Sequence, residues 1–130
     1  MCPDSQGLAA LNAADQLVAA VYRLTSAMPA AERHGLQTRI RRAAVSVATN
    51  LVEGSARWGP ATSRRFFRAA YGSARECDYL VGLAGRLRLI DAISADAVSD
   101  SYRTLAASLW GIIQPLQLPA GARSNELRRH

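Results

Sequence analysis

RRAAVSVATNLVEGSARW, Arg41–Trp58, carries the pattern that decides the fold. Extended back to Leu36, it places Leu36, Ile40, Ala43, Val47, Leu51 and Gly54 at three- and four-residue intervals, which aligns them on one side of an α-helix. A polar strip runs beside that apolar stripe: Ser46, Asn50, Glu53 and Arg57, spaced four, three and four. Glu53 and Arg57 stand in the favourable order for an ion pair one helical turn apart. Half-buried Asn and Glu cost free energy unless hydrogen-bonded, so the strip predicts bonded partners on a neighbouring helix. Ser73 and Glu76 further along supply them, and a network of Ser46, Asn50, Glu53, Arg57, Ser73 and Glu76 would fix the register of two helices. Opposite the core stripe, Val45, Ala48 and Val52 make a second apolar patch. A four-helix bundle covers one side of each helix, so this patch predicts contact with another subunit.

Three more segments outside this stretch share its helical period, and strand alternation of useful length is missing. Leu11, Ala14, Val18, Val21, Thr25 and Met28 define a first helix over Leu8 to Met28, interrupted by Pro29. The second helix extends to about residue 57. After WGPATS, with Thr62 or Ser63 as the expected N-cap, a third runs to Arg88 and buries Phe66, Phe67, Ala70, Ala74, Cys77, Val81 and Ala84. The fourth is expected to start at an Ser94 N-cap with Asp96 in its first turn, and to bury Val98, Leu105, Leu109, Ile112 and Leu116 before Pro115 ends or kinks it. Long helices joined by short loops predict an all-α, up-down-up-down antiparallel four-helix bundle over residues 1–118. The Pro- and Gly-containing residues 119–130 are expected to be a mobile C-terminal tail.

Composition removes several function classes. Two histidines, His34 and His130, give no paired metal ligands at helical spacing. Glu53 and Glu76 are followed three residues later by Ala56 and Tyr79, which breaks the Glu-x-x-His rule of bundle di-iron sites. GSARWG lacks the spacing and the lysine of a phosphate-binding loop. No cofactor, metal or catalytic residue is therefore expected, and the chain reads as a non-enzyme. Cys2 and Cys77 lie far apart, and Cys77 has apolar neighbours, which fits a buried thiol in a reduced, cytoplasmic setting. No run of about 18 apolar residues occurs, so no membrane partner is expected.

Charge is informative. All 16 basic residues are arginine, against 10 acids, for a net charge of +6. From Ala30 to Ile90 there are 11 arginines and four acids, and everything else carries five arginines and six acids. Arg64, Arg68, Arg75 and Arg86 recur at spacings of four, seven and eleven, on one outward stripe that includes Tyr79 with Tyr71 beside it. Arg41 and Arg42 add to the same half. Guanidinium groups bind phosphates in bidentate fashion and tyrosines offer stacking faces, so Arg41, Arg42, Arg64, Arg68, Arg75, Tyr79 and Arg86 are the expected contacts to RNA or DNA, without sequence preference. The alternative is a scaffold whose basic rim docks an acidic protein partner.

LQTRIRRAAVSVATNLVEGSAR followed by FFRAAYGSARECDYL resembles the 23S rRNA intervening-sequence protein family of small four-helix bundles. The matching positions are Arg41, Arg42, Ala43, Ser46, Asn50, Glu53, Gly54, Phe66, Ala70, Gly72, Ser73 and Glu76, and the similarity extends over roughly Leu11 to Leu116. Arg39 and Ala48 depart from it, standing where Gln and Pro are common. A related branch, the accessory protein of diversity-generating retroelements, is a basic pentameric barrel that binds a reverse transcriptase and nucleic acid. The resemblance thus implies a homo-oligomer, with a pentamer favoured, and a protein partner such as a reverse transcriptase or a ribosomal component.

Overall fold

The computed structural model describes residues 5–56 and 59–116. Four long helices form in chain order: α1 (Ser5–Thr25), α2 (Leu36–Ser55), α3 (Pro60–Arg86) and α4 (Ala92–Ile113). Each packs on its neighbours in sequence, and α4 closes back onto α1, which is the up-down-up-down bundle expected. Single 3₁₀ turns follow α1, at Ala30–Glu32, and α4, at Gln114–Leu116. The expected tail, residues 119–130, and Arg57 of the polar strip lie outside the described residues. Among the described residues, no helix is long and apolar enough to cross a membrane.

The apolar stripes meet in one core. Val21, Ile40, Val47, Leu51, Val81 and Leu109 are fully enclosed, with Tyr102 the largest side chain among them. Much of the remaining core is alanine, including Ala14, Ala44, Ala70, Ala74, Ala84 and Ala95. Small side chains let helix axes approach closely, and the closest fit is where α3 meets α4. A Cβ built on Gly85 would sit 2.8 Å from the Cβ of Ala95, a backbone-anchored atom that only a shift of the helices could relieve.

Helix ends differ from the sequence reading in ways that local chemistry explains. The third helix begins at Pro60, with Gly59 as its N-cap and no side-chain cap bond, so Thr62 and Ser63 lie inside it and Ser63 is buried. Proline's fixed φ and missing N–H suit the first helical position, and this outweighs a hydroxyl cap two residues later. For α4 the cap is Asp91: its Oδ2 accepts from the Ser94 backbone N–H at 2.9 Å and from the Ser94 hydroxyl at 2.8 Å. Ser94 is thus the donor in the expected cap, and Asp96 sits beyond the first turn. These bonds hold the Asp91 carboxyl below its usual range. The first helix stops at Thr25, three residues short of Met28, although Met28 is still buried in the core. At the end of α3 the chain reverses through Arg88, φ 60°, while the Leu89 N–H donates to the Ala84 carbonyl. That closure normally recruits glycine, because the left-handed region strains a side chain.

Gly85→Ala is expected to lose about 1–2 kcal/mol in urea unfolding, since overpacking outweighs alanine's helix propensity. Gly72→Ala, where a Cβ meets nothing within 4 Å, should instead gain up to about 1 kcal/mol.

Candidate functional site

Three neighbouring helix pairs are tied by polar side chains, and the ties decide which charged groups remain free. Between α1 and α2 the tie is Arg41. Its Nε donates to Thr25 Oγ1 at 2.9 Å and its Nη2 to the Tyr22 carbonyl at 3.2 Å, while the guanidinium lies 4.4 Å from the Tyr22 ring centroid. A cation at the last carbonyls of α1 also answers that helix's dipole. Arg41 therefore stands against α1, apart from the arginines of α3.

Between α2 and α3 the tie is Ser46 with Ser73, whose hydroxyls share a hydrogen bond of 2.9 Å. Asn50 Nδ2 donates to the Ser46 carbonyl at 2.9 Å and to its hydroxyl at 3.2 Å, extending the bond along α2. Glu76 pairs with Arg39 at 3.3 Å in the open, an arrangement worth a fraction of a kcal/mol. The Glu53 side chain is exposed and bonds to no described residue. Seven residues beyond Ser46 the helix has drifted by about 20°, and Gly54 faces α3, against the Phe67 ring.

The tie between α3 and α4 went unread in the sequence. Asp78, mostly buried, accepts from the Ser99 hydroxyl and from Arg103 Nη2 at 3.2 Å, and Arg103 Nη1 reaches Asp100 at 2.8 Å. Both Asp78 partners come from α4, one and two turns beyond the Ser94 and Asp96 of its start. Beneath this tie the Cys77 thiol is enclosed beside the Tyr102 hydroxyl, which has no partner of hydrogen-bonding geometry among the described residues. Burial pushes the thiol up to about 12 and raises the phenol as well.

With Glu76 held at the α2 edge of α3 and Asp78 at its α4 edge, the outer side between them is purely basic. Arg68, Arg75 and Arg86 are exposed along it and Arg64 is half-buried. None of the four forms an ion pair with a described residue. Tyr79 is 59% exposed, with the Arg86 guanidinium 5.9 Å from its ring centroid. Arg75 Nη1 donates to the Tyr71 hydroxyl at 2.9 Å. Arg42 is exposed on α2, near Arg39. Tyr71 in turn meets Trp110 of α4, a residue absent from the sequence reading. The available signal was an aromatic residue off the α4 apolar stripe.

Residues 6–111 match the family model described as 23S rRNA-intervening sequence protein. The chain belongs to that family. No curated protein matches it at a significant level. The matched span covers α2 and α3 whole and all but the ends of α1 and α4, and it includes both serines of the Ser46–Ser73 bond.

Among the described residues, apolar side chains reach the surface on α2 and along the α1–α4 seam, as well as at single positions such as Ile93. Val45 and Val52 are 38% and 52% exposed on α2, whereas Ala48 packs partly against the core. Between α1 and α4 a groove of about 870 Å³ is lined by apolar residues such as Leu17, Leu105 and Ile112 together with polar ones that include Gln16, Arg23 and Asp100. Among the described residues, no three His, Cys, Asp or Glu side chains cluster as a metal site.

In a Cys2→Ser background, Cys77 should resist Ellman's reagent at pH 8 until urea unfolds the chain. The fold keeps this thiol protonated up to about 12 whereas the unfolded thiol ionises near 9, so stability is full below pH 9 and falls above it. The slope is up to about 1.4 kcal/mol per pH unit, readable from urea melts at pH 8 and 10.

Proposed function

We propose that the protein is a non-enzymatic, cytoplasmic, homo-oligomeric bundle that binds RNA or DNA without sequence preference through the arginine side of α3 and adjoining α2. The observation that carries this reading is the alignment of Arg64, Arg68, Arg75 and Arg86 on one solvent-facing side, free of carboxylate partners among the described residues, with Tyr79 exposed in the same row. An array of guanidinium groups neutralises phosphates and releases their counterions, and it needs no base contact. Arg42 extends the row onto α2, and Arg41 contributes chiefly by fixing α1 against α2.

Oligomer formation is supported by two unlike surfaces, an apolar ridge and a mixed apolar and polar groove. A ridge at Val45 and Val52 on one copy and the α1–α4 groove on the next make a head-to-tail contact, the kind that closes into rings. A pentamer is the ring favoured by the resemblance to the retroelement accessory protein. The same arginines suit an acidic protein partner, such as a reverse transcriptase or ribosomal component, and a pull-down that survives nuclease would favour that scaffold role.

Affinity for a generic RNA is expected to fall steeply with salt. Arg68→Glu with Arg75→Glu should weaken it at least tenfold and flatten the slope of log affinity against log salt by about 1.4–1.8. Unchanged binding in the double variant would remove the arginine row from the interface. Sedimentation should report a multiple of the 14.0 kDa chain mass, with Val45→Asp and Val52→Asp together returning it to one chain.

A further inference from the structure

Trp110 is the feature of this surface least explained by folding. Its indole is 47% exposed on α4, and its ring centroid lies 5.5 Å from that of Tyr71 on α3, with the planes inclined at 46°. The tilted contact favours the pair beyond its buried area, yet about half of the tryptophan still faces water. Arg75 steadies the Tyr71 side of the pair, with its guanidinium 5.8 Å from the ring and its Nη1 on the hydroxyl. Glycines adjoin both rings, Gly72 after Tyr71 and Gly111 after Trp110, and a Cβ at either would meet nothing within 4 Å. Eight residues further along α3, about 12 Å, Tyr79 repeats the motif with Arg86 against its ring.

We infer that Trp110 and Tyr71 form a base-stacking platform, and that the ligand of the arginine row is single-stranded nucleic acid. This rests on the nucleic-acid reading above and narrows it. A duplex buries its base faces within its own stack, so aromatic surfaces reward only strands whose bases are free. The guanidinium groups flanking each ring suit a ligand in which flat apolar faces alternate with phosphates along one chain. An apolar protein helix would have to strip water from Arg75 and Arg86 to reach the same rings. In a single strand, phosphates would meet Arg68, Arg75 and Arg86 while successive bases stack on Trp110 with Tyr71 and on Tyr79.

The test compares a labelled oligouridylate with an RNA duplex of equal length, by anisotropy at fixed salt, using the full chain. The oligouridylate should bind more tightly, and in a Trp58→Phe background it should quench the remaining indole. Trp110→Ala should weaken oligouridylate binding roughly 5- to 100-fold while leaving duplex affinity and the salt slope unchanged. Trp110→Phe should restore most of the loss. If Trp110→Ala binds oligouridylate as the parent does, the platform is wrong and the arginine row stands. If it lowers the sedimenting mass instead, a second copy covers the indole and the inference fails. Binding of neither nucleic acid would overturn both the platform and the reading beneath it.

Discussion

Close approach between helices is the constraint from which the rest of this bundle follows. A core in which alanine recurs at many helix contacts gains little apolar area at each of them, so the helices must lie near one another and in register to bury enough of it. Gly85 against Ala95 marks how little room is left. At such spacing even a serine on one helix reaches a serine on the next, and Ser46–Ser73 and Asp78–Ser99 become short bridges between backbones. Long polar side chains could not fit there. Register, once set by these short bridges, determines which residues of α3 point outward.

Distribution of charge follows from the same geometry. The two acids nearest the outer side of α3 are drawn to its edges, Glu76 towards Arg39 and Asp78 towards Arg103. Structural bonds therefore consume the negative groups and leave the positive ones unpaired. Arg41 shows the converse case, an arginine spent on packing because Thr25 and the last carbonyls of α1 lie within its reach. Sequence position alone does not separate these two fates, as Arg41 and Arg42 are adjacent.

Legibility in the sequence tracked periodicity. Apolar stripes placed the helices and about two thirds of the enclosed core residues, because burial and the 3.6-residue repeat are coupled directly, but they passed over Leu80, Tyr102 and several alanines. Ser46, Asn50 and Ser73 were readable as a contact for the same reason, lying just beside those stripes. Helix N-caps lie three or four residues before the expected ones, since Pro60 and Asp91 compete with nearby hydroxyls in ways that only backbone dihedrals settle. The strip predicts a half-buried Glu53 bonded across helices, whereas its side chain is exposed and only Ser46, Asn50 and Ser73 of the strip bond together. Asp78–Ser99–Arg103 and Tyr71–Trp110 join helices across gaps of 21 to 39 positions, and no local pattern records such meetings.

The outer side of α3 carries guanidinium groups alone, in a chain without a single lysine. Guanidinium stays protonated at any pH a cell reaches, and it offers no amine for acetyl transfer. Its positive field is accordingly permanent: neither acidification nor the acylation that silences lysine-based surfaces can switch it off. Whatever anionic molecule this surface meets must be released by competition from salt or another polyanion, or by a change in that molecule.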